Sequence, residues 1–554
     1  MVKAIDLVRQ GRSEELWQMC CGYLKLSLDQ FMAIQESLLL EQIALMNKSP
    51  LGKKFLPIKP QTVQEFRKMV PLTTYRDYLA ELMEKKEETL PAKTAQWVHT
   101  SGKSGEYACK WIPWTESFAE ELSKVAYGLW MISGCKGWGD VAHLKDNNTK
   151  IVYTVAPPPY MTGALADLIP LQSPVDYLPS AEKAKDLPFD ARISLGFKQA
   201  LSEGFDCFFG LSLVLSVVGD KFGQSLQATD ILALWKQPKA IIRLAKGLIK
   251  SKREKRPMLP RDLWNVRGIM SGGLDSSVYK EKIKKQWGRY PLDVYACSEG
   301  GVIATQTWDY EGMTFIPNLN FFEFIPEEEH IKWRMDNNYQ PKTVLLNEVE
   351  QNHVYELVLT NLHGGSLMRY RIGDMVRITA LRNEKLGIDI PQMVFERRAD
   401  DLIDFVFVRL TEKSLWQAIE DTRIPYEDWV AYKEPGEPVL NVFMELKKGF
   451  EMGDEYVAKA ISEQVLKSDS KNADIKYLIR DDFAEMIDFK VKVNLLPHGA
   501  FANYLQMRQE EGADLAHLKP PHINPSNKVI SLLRGHPLPA QPKISKEKVP
   551  VQTR

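Results

Sequence analysis

At 554 residues the chain is too long for one hydrophobic core, so two or more domains are expected. Hydrophobic residues at 44% and charged residues at 26% are ordinary for a soluble globular protein. Lys plus Arg and Asp plus Glu balance at 72 each, so no global field favours nucleic acid or an anionic membrane. The six cysteines (Cys20, Cys21, Cys109, Cys135, Cys207 and Cys297) form no C-x-x-C pair, which points away from a zinc site or a disulfide framework. They read as reduced thiols of a cytoplasmic protein.

The first residues lack a signal-peptide h-region, and 1–50 read as helices with Leu38, Leu39, Ile43 and Leu45 at helical spacing. From about 95 to 395, short apolar strands alternate with helical stretches, the pattern of an α/β domain. Residues 150–155, 292–296 and 354–360 are examples. The longest apolar run, 208–218, is interrupted by Gly210, Ser212 and Ser216 and falls short of the ~20 residues of a membrane span. Residues 231–261 are basic and amphipathic, with Lys236, Lys239, Arg243, Lys246, Lys250, Lys252, Arg253, Lys255 and Arg256. They read as a solvated helix face and linker, or as a patch that meets an anionic partner.

A boundary is expected near Arg397-Arg398-Ala399-Asp400-Asp401. Beyond it come a helix (411–421), two strands (429–432 and 439–446), a helix (456–466), a strand (489–495) and a helix (499–509). These make an α+β unit of ordinary domain size. The Pro- and Lys-rich residues 536–554 are expected to be a disordered tail, and no internal repeat is visible.

Three segments bear chemistry. Thr100-Ser101-Gly102-Lys103-Ser104-Gly105 offers hydroxyls and bare backbone N–H groups suited to polyphosphate. Tyr295-Ala296-Cys297-Ser298-Glu299-Gly300 offers an aromatic surface for a base and a carboxylate for a hard cation. Tyr370-Arg371-Ile372-Gly373-Asp374 presents a carboxylate able to accept from a ribose diol. Together they describe an ATP site assembled from three places in one large domain.

With these segments the chain resembles the auxin-responsive promoter family of acyl-acid amido synthetases. That family lies within the superfamily of acyl-CoA synthetases, peptide-synthetase adenylation domains and luciferases. The likeness extends to Val70–Tyr78, to Phe321-Phe322-Glu323-Phe324-Ile325-Pro326, to Tyr355–Asn361, and to Gly512-Ala513 through Lys519-Pro520-Pro521. It runs collinearly over about 60–530 and marks a divergent, non-plant member.

The resemblance implies a large N-terminal adenylate-forming α/β domain, 1–397 with a helical segment over about 1–60, and a small mobile α+β C-terminal domain, 398–535. It implies an enzyme that adenylates a small carboxylic acid with ATP and Mg²⁺, releases pyrophosphate, and passes the acyl group to an amine, an amino acid, as an amide. Thr100, Ser101, Gly102, Lys103, Ser104 and Gly105 would hold phosphates. Tyr295 would stack on adenine, Ser298 would contact phosphate, and Glu299 would hold Mg²⁺. Asp374 would bind ribose, Arg398 would act at the hinge, and Lys519 would bridge phosphate and carboxylate. Tyr160, Thr162 and Gly163, with the 205–218 stretch, would wall the acyl pocket. No nucleic acid, membrane span or particular oligomeric state is implied.

Departures are visible too. The family has Thr where Lys103 stands and usually Gly where Glu106 stands, and His517-Leu518 and His522 replace its usual neighbours of Lys519. These keep open a degenerate binding protein, and the basic 236–256 segment keeps open an acyl-CoA ligase. Gly102-Lys103-Ser104 is no P-loop, because position 97 is Trp. Ser271-Gly272-Gly273-Leu274-Asp275-Ser276-Ser277 fits a PP-loop pyrophosphatase but would leave the three other segments unexplained.

Overall fold

The computed structural model describes residues 2–100, 109–224, 238–272, 276–336, 338–399, 402–405, 409–434, 437–470, 489–510, 522–525 and 527–535. They fall into two compact units that divide between Asp400 and Asp401.

The first unit is built on one large sheet. Its parallel half comprises β3 (Thr149–Tyr153), β4 (Val175–Leu178), β5 (Cys207–Leu211), β6 (Gly268–Gly272) and β7 (Leu292–Cys297). Its antiparallel half comprises β8 (Gly301–Thr305), β9 (Met313–Phe315), β10 (Asn320–Pro326), β11 (Val354–Asn361), β12 (Tyr370–Ala380) and β13 (Gln392–Arg398). The order is β10-β11-β12-β13-β9-β8-β7-β6-β5-β3-β4. β7 is the junction, parallel to β6 and antiparallel to β8. A separate hairpin joins β1 (Thr94–His99) to β2 (Trp111–Thr115).

Burial explains the sequence of these strands. β10 and β11 are buried almost throughout and mainly apolar, as strands covered on both faces are, and the one glutamate in each, Glu323 and Glu356, is paired with an arginine, Arg369 and Arg371. The helix Leu28–Met46 covers one end of the sheet and is fixed there by two buried glutamines. Gln35 donates to the Asn320 carbonyl (2.7 Å) and accepts from the Phe322 N–H (2.9 Å). Gln42 donates to the Gly365 carbonyl (2.8 Å) and accepts from the Gly364 N–H (2.7 Å). Each amide thus pairs backbone groups that would otherwise be buried unpaired.

The 208–218 run divides at Ser212, where β5 ends and the helix Ser212–Gln224 begins. The PP-loop-like segment is no separate domain. Its strand is β6, inside the large sheet, and the buried Ser271 hydroxyl lies 2.5 Å from that of Ser212. Residues 273–275 of that segment lie outside the described residues.

In the second unit, β14 (Leu402–Asp404) pairs β15 (Arg409–Thr411). β16 (Tyr426–Lys433) and β17 (Val439–Leu446) are antiparallel, and β18 (Lys490–Leu496) runs parallel to β17. Alternation along β16 and β17 feeds two cores. Trp429, Val442 and Met444 pack with Leu415 and Val457, while Val430 and Phe443 pack with Phe501, Tyr504 and Leu533.

Candidate active site

The site grows from the turn that follows β7. Residues 298–300 link Cys297 to Gly301, which are register partners, and Gly301 turns the chain at φ +65°. Three successive carbonyls of this turn are each held by a side chain from another strand. Trp114 donates its indole N–H to the Ser298 carbonyl (3.0 Å), Asn361 to Glu299 (2.7 Å) and Asn320 to Gly300 (2.7 Å). The Ser298 hydroxyl in turn donates to the His99 carbonyl at 3.1 Å, tying the turn to β1. A tight turn is thereby buried without unpaired carbonyls.

Glu299 is 6% exposed. Its Oε1 lies 3.6 Å from Lys110 Nζ and 3.5 Å from the Tyr370 hydroxyl, and Lys110 Nζ donates to that hydroxyl at 3.1 Å. Lys110 sits where the loop after β1 rejoins β2. The stem of that loop is closed by Thr100 N–H to the Lys110 carbonyl (3.1 Å) and Lys110 N–H to Thr100 Oγ1 (3.1 Å). The phosphate loop read from sequence therefore starts beside Glu299, although Ser101, Gly102, Lys103, Ser104 and Gly105 lie outside the described residues.

Asp374 occupies a bulge of β12 against β11, where Gly373 adopts φ +78° and the register slips between Glu356 and Val358. Arg398, its register partner on β13, donates to Oδ1 at 2.5 Å, and the Tyr295 hydroxyl donates to Oδ2 at 2.6 Å. Burial, reinforced by the Asp374 charge, holds the Tyr295 phenol far above its usual pKa, so it remains a donor. The Tyr295 ring is 9% exposed, so the role best supported by its surroundings is to fix Asp374. Burial likewise pushes Cys297 well up, with Glu299 and Asp374 adding to the effect, so this thiol is no nucleophile.

Beside the turn, the His99 ring meets Tyr160 edge-on at 4.4 Å, and the His99 N–H donates to the Pro159 carbonyl at 3.0 Å. Tyr160 thus borders the site. Thr162 donates to the Ala156 carbonyl at 3.4 Å. Gly163 is a packing residue: a Cβ there would lie 2.4 Å from the Ala156 carbonyl oxygen. Lys519 lies outside the described residues.

The structure brings together Thr100, Ser298, Glu299, Tyr295, Asp374 and Arg398. Sequence reading missed Lys110 and the clamps Trp114, Asn320 and Asn361. Their only signal was proximity in the chain to motif segments. The donor set suits Mg²⁺ brought by a nucleotide. Mg²⁺ keeps several waters and takes one or two protein carboxylates plus phosphate oxygens, and Glu299 is one such carboxylate. Among the described residues no group of three or more His, Cys, Asp or Glu could hold a metal unaided.

Residues 22–150 match the GH3 family N-terminal domain, and residues 313–398 match the GH3 family central domain. Two segments of the chain are therefore similar to domains of the GH3 family. The jasmonoyl–L-amino acid synthetase GH3.5 of Oryza sativa subsp. japonica is 30% identical over 48% of this chain and 47% of its own length. The 4-substituted benzoates–glutamate ligase GH3.12 of Arabidopsis thaliana is 25% identical over 40% of this chain and 38% of its own. The chain thus spans about half or less of the length of these relatives. The structure of the acyl acid amido synthetase AtGH3.15 in complex with 2,4-DB superposes with a TM-score of 0.50 at 17% identity, covering 91% of this chain and 93% of the other. That likeness concerns the fold alone, a large α/β unit followed by a smaller α+β unit.

Proposed function

We propose that this protein is a GH3-type, ATP- and Mg²⁺-dependent ligase that joins a small carboxylic acid to the amine of an amino acid. The carrying observation is the pair of buried carboxylates, Glu299 on a clamped turn and Asp374 held by Tyr295 and Arg398. The names of the relatives, which join jasmonate or benzoates to amino acids, support the same reading.

In this reading the carboxylate oxygen of the acid attacks the α-phosphorus of ATP and pyrophosphate leaves. The amine nitrogen then attacks the acyl carbon of the adenylate, losing a proton as AMP departs. Asp374 accepts from the ribose hydroxyls and keeps its orientation because both its oxygens are held by fixed donors. Glu299 would hold Mg²⁺, which offsets the charge that builds on the phosphates. Lys110, already beside Glu299, adds a positive charge at the mouth of the phosphate loop. Thr100 and residues 101–105 would bind phosphate, and Tyr160 would wall the acyl pocket. We place the 398–535 segment as a mobile domain that brings Lys519 to the reactants in the first step and withdraws it in the second. The reaction is placed in the cytoplasm, in keeping with six cysteines outside disulfides.

The test is pyrophosphate release from Mg²⁺-ATP with a panel of aromatic and aliphatic acids, followed by product analysis with amino acids and with coenzyme A. Acid-dependent release and an amide product are expected. Thioester without amide would replace the amine acceptor by a thiol. ATP binding without release for any acid would leave a nucleotide-binding protein in place of the ligase.

A further inference from the structure

The helix Pro238–Arg253 has two faces that the site does not use. Its inner face is made of small or compact residues, Ala240, Leu244, Gly247 and Ser251, all buried. Gly247 permits a close approach, since a Cβ there would lie 2.6 Å from the Leu263 side chain. Arg243 fastens the helix by donating to the Ala200 (2.8 Å) and Leu201 (2.5 Å) carbonyls. The apolar residues that remain face outward: Ile241 is 39% exposed, Ile242 55%, Leu248 40% and Ile249 69%. Four of the fourteen exposed large hydrophobic residues among the described ones thus fall on a single helix of 16 residues. Scattered singly they would be ordinary, but grouped they form a patch.

At about 100° per residue, Leu248, Ile241, Ala245, Ile249 and Ile242 form one stripe of roughly 120°. Arg253, Lys246, Lys239 and Lys250 follow directly beside it, Lys250 also pairing with Asp262 at 3.3 Å, and Lys252 stands within it. The helix contains no Asp or Glu. Its basic edge continues through Lys250 into a cavity of about 360 Å³ to which Arg261, Lys284 and Arg289 also contribute, and no acidic residue lines that cavity. The positive field is therefore local and dense, although the whole chain is neutral.

We propose that this face docks the first unit on an anionic lipid surface, with the aliphatic stripe sunk at the headgroup boundary and the lysines and arginines over anionic headgroups. Aliphatic residues flanked by cations are the signature of a helix lying in the interface plane. At 16 residues with six cations the helix is too short and too polar to span. A second copy of the chain would set six cations against six. Nucleic acid would leave the isoleucines wet. Charge and apolarity together fit lipid. This inference is independent of the reaction proposed above.

The test is flotation of the full chain with phosphatidylcholine vesicles, with or without about one-third phosphatidylserine. Binding to the phosphatidylserine vesicles alone is expected, falling steeply as salt rises from about 0.05 to 0.5 M. Ile242→Ser/Ile249→Ser and Lys246→Glu/Arg253→Glu should each weaken it at least about tenfold, since each cation over an anionic surface is worth roughly fivefold. Ile58→Ser, at a position 69% exposed elsewhere, should bind as the parent does, and unchanged melting shows that the variants are folded. No binding by the parent, or equal binding by both double variants, overturns the proposal. So does a concentration-dependent dimer, or RNA binding, that the same substitutions abolish in the absence of lipid binding.

Discussion

His522 offers a perturbation whose size follows from its contacts. The ring is 9% exposed, bonded to Asp428 Oδ1 at 2.8 Å and Glu412 Oε1 at 2.7 Å, and stacked on Trp429 at 4.6 Å and 15°. Its backbone also joins the sheet: the Ala431 N–H donates to the His522 carbonyl at 2.7 Å, and the Asn524 N–H to the Ala431 carbonyl at 2.8 Å. Replacing it by Ala removes both side-chain bonds and the stacked cation. A bond to the half-buried Asp428 is worth about 1.5–2 kcal/mol, while that to Glu412, whose side chain is 40% exposed, is worth no more than about 0.5–1. The imidazolium on the Trp429 face adds about 0.5–1 kcal/mol. The sum, about 3 kcal/mol, corresponds to a fall of roughly 10 °C in the melting of the second unit at about 3 °C per kcal/mol. The pH dependence supplies a second check. Burial opposes charging the ring, but the bonds to Asp428 and Glu412 outweigh it and raise the pKa above its ordinary value. A raised folded-state pKa stabilises fully below the unfolded value of about 6.5, and that stabilisation fades as pH rises through the folded value. Calorimetric melting of His522→Ala should therefore differ most from the parent near pH 6 and converge in mild alkali. A gap that is constant with pH, or no gap at pH 6, refutes the reasoning. In sequence His522 stands three residues after Lys519, so the same variant should also slow adenylation in the proposed reaction.

Other expectations concern the first unit. Glu299→Gln and Asp374→Asn should each cut acid-dependent pyrophosphate release by at least about 100-fold, the scale of removing one preorganised charge contact, with melting little changed. Lys110→Met should slow release at least about tenfold, partly recovered in Lys110→Arg, since its ammonium lies 3.6 Å from Glu299. Gly163→Ala should lower stability by about 1–3 kcal/mol in urea unfolding, because the added Cβ meets backbone rather than a movable side chain.

The legible parts of this protein share a physical cause. β11 could be read because it is short and mainly apolar, and β16 and β17 because each alternates toward two cores. Glu299 and Asp374 stand out as candidates because each has glycine neighbours that leave a local mark, Gly300-Gly301 and Gly373. Lys110, Asn320 and Asn361 leave no such mark. Each acts through a partner far away in sequence: Asn361 reaches Glu299 across 62 positions, and Lys110 reaches Tyr370 across 260. A sequence shows which groups are able to do chemistry, whereas their restraint by distant donors becomes visible only when the fold has brought the β1–β2 hairpin beside β7, β10 and β11. This accounts for the different standing of Tyr295. Read along the chain it is an aromatic surface for a base. In the fold its hydroxyl is committed to Asp374 and its ring is largely covered, so loss of the hydroxyl alone tells the two roles apart. Tyr295→Phe keeps the ring and removes its bond to Asp374 Oδ2, and should weaken ATP binding in calorimetry by about five- to tenfold, the worth of one charge-assisted bond. Unchanged affinity would return the residue to the stacking role that its sequence suggests.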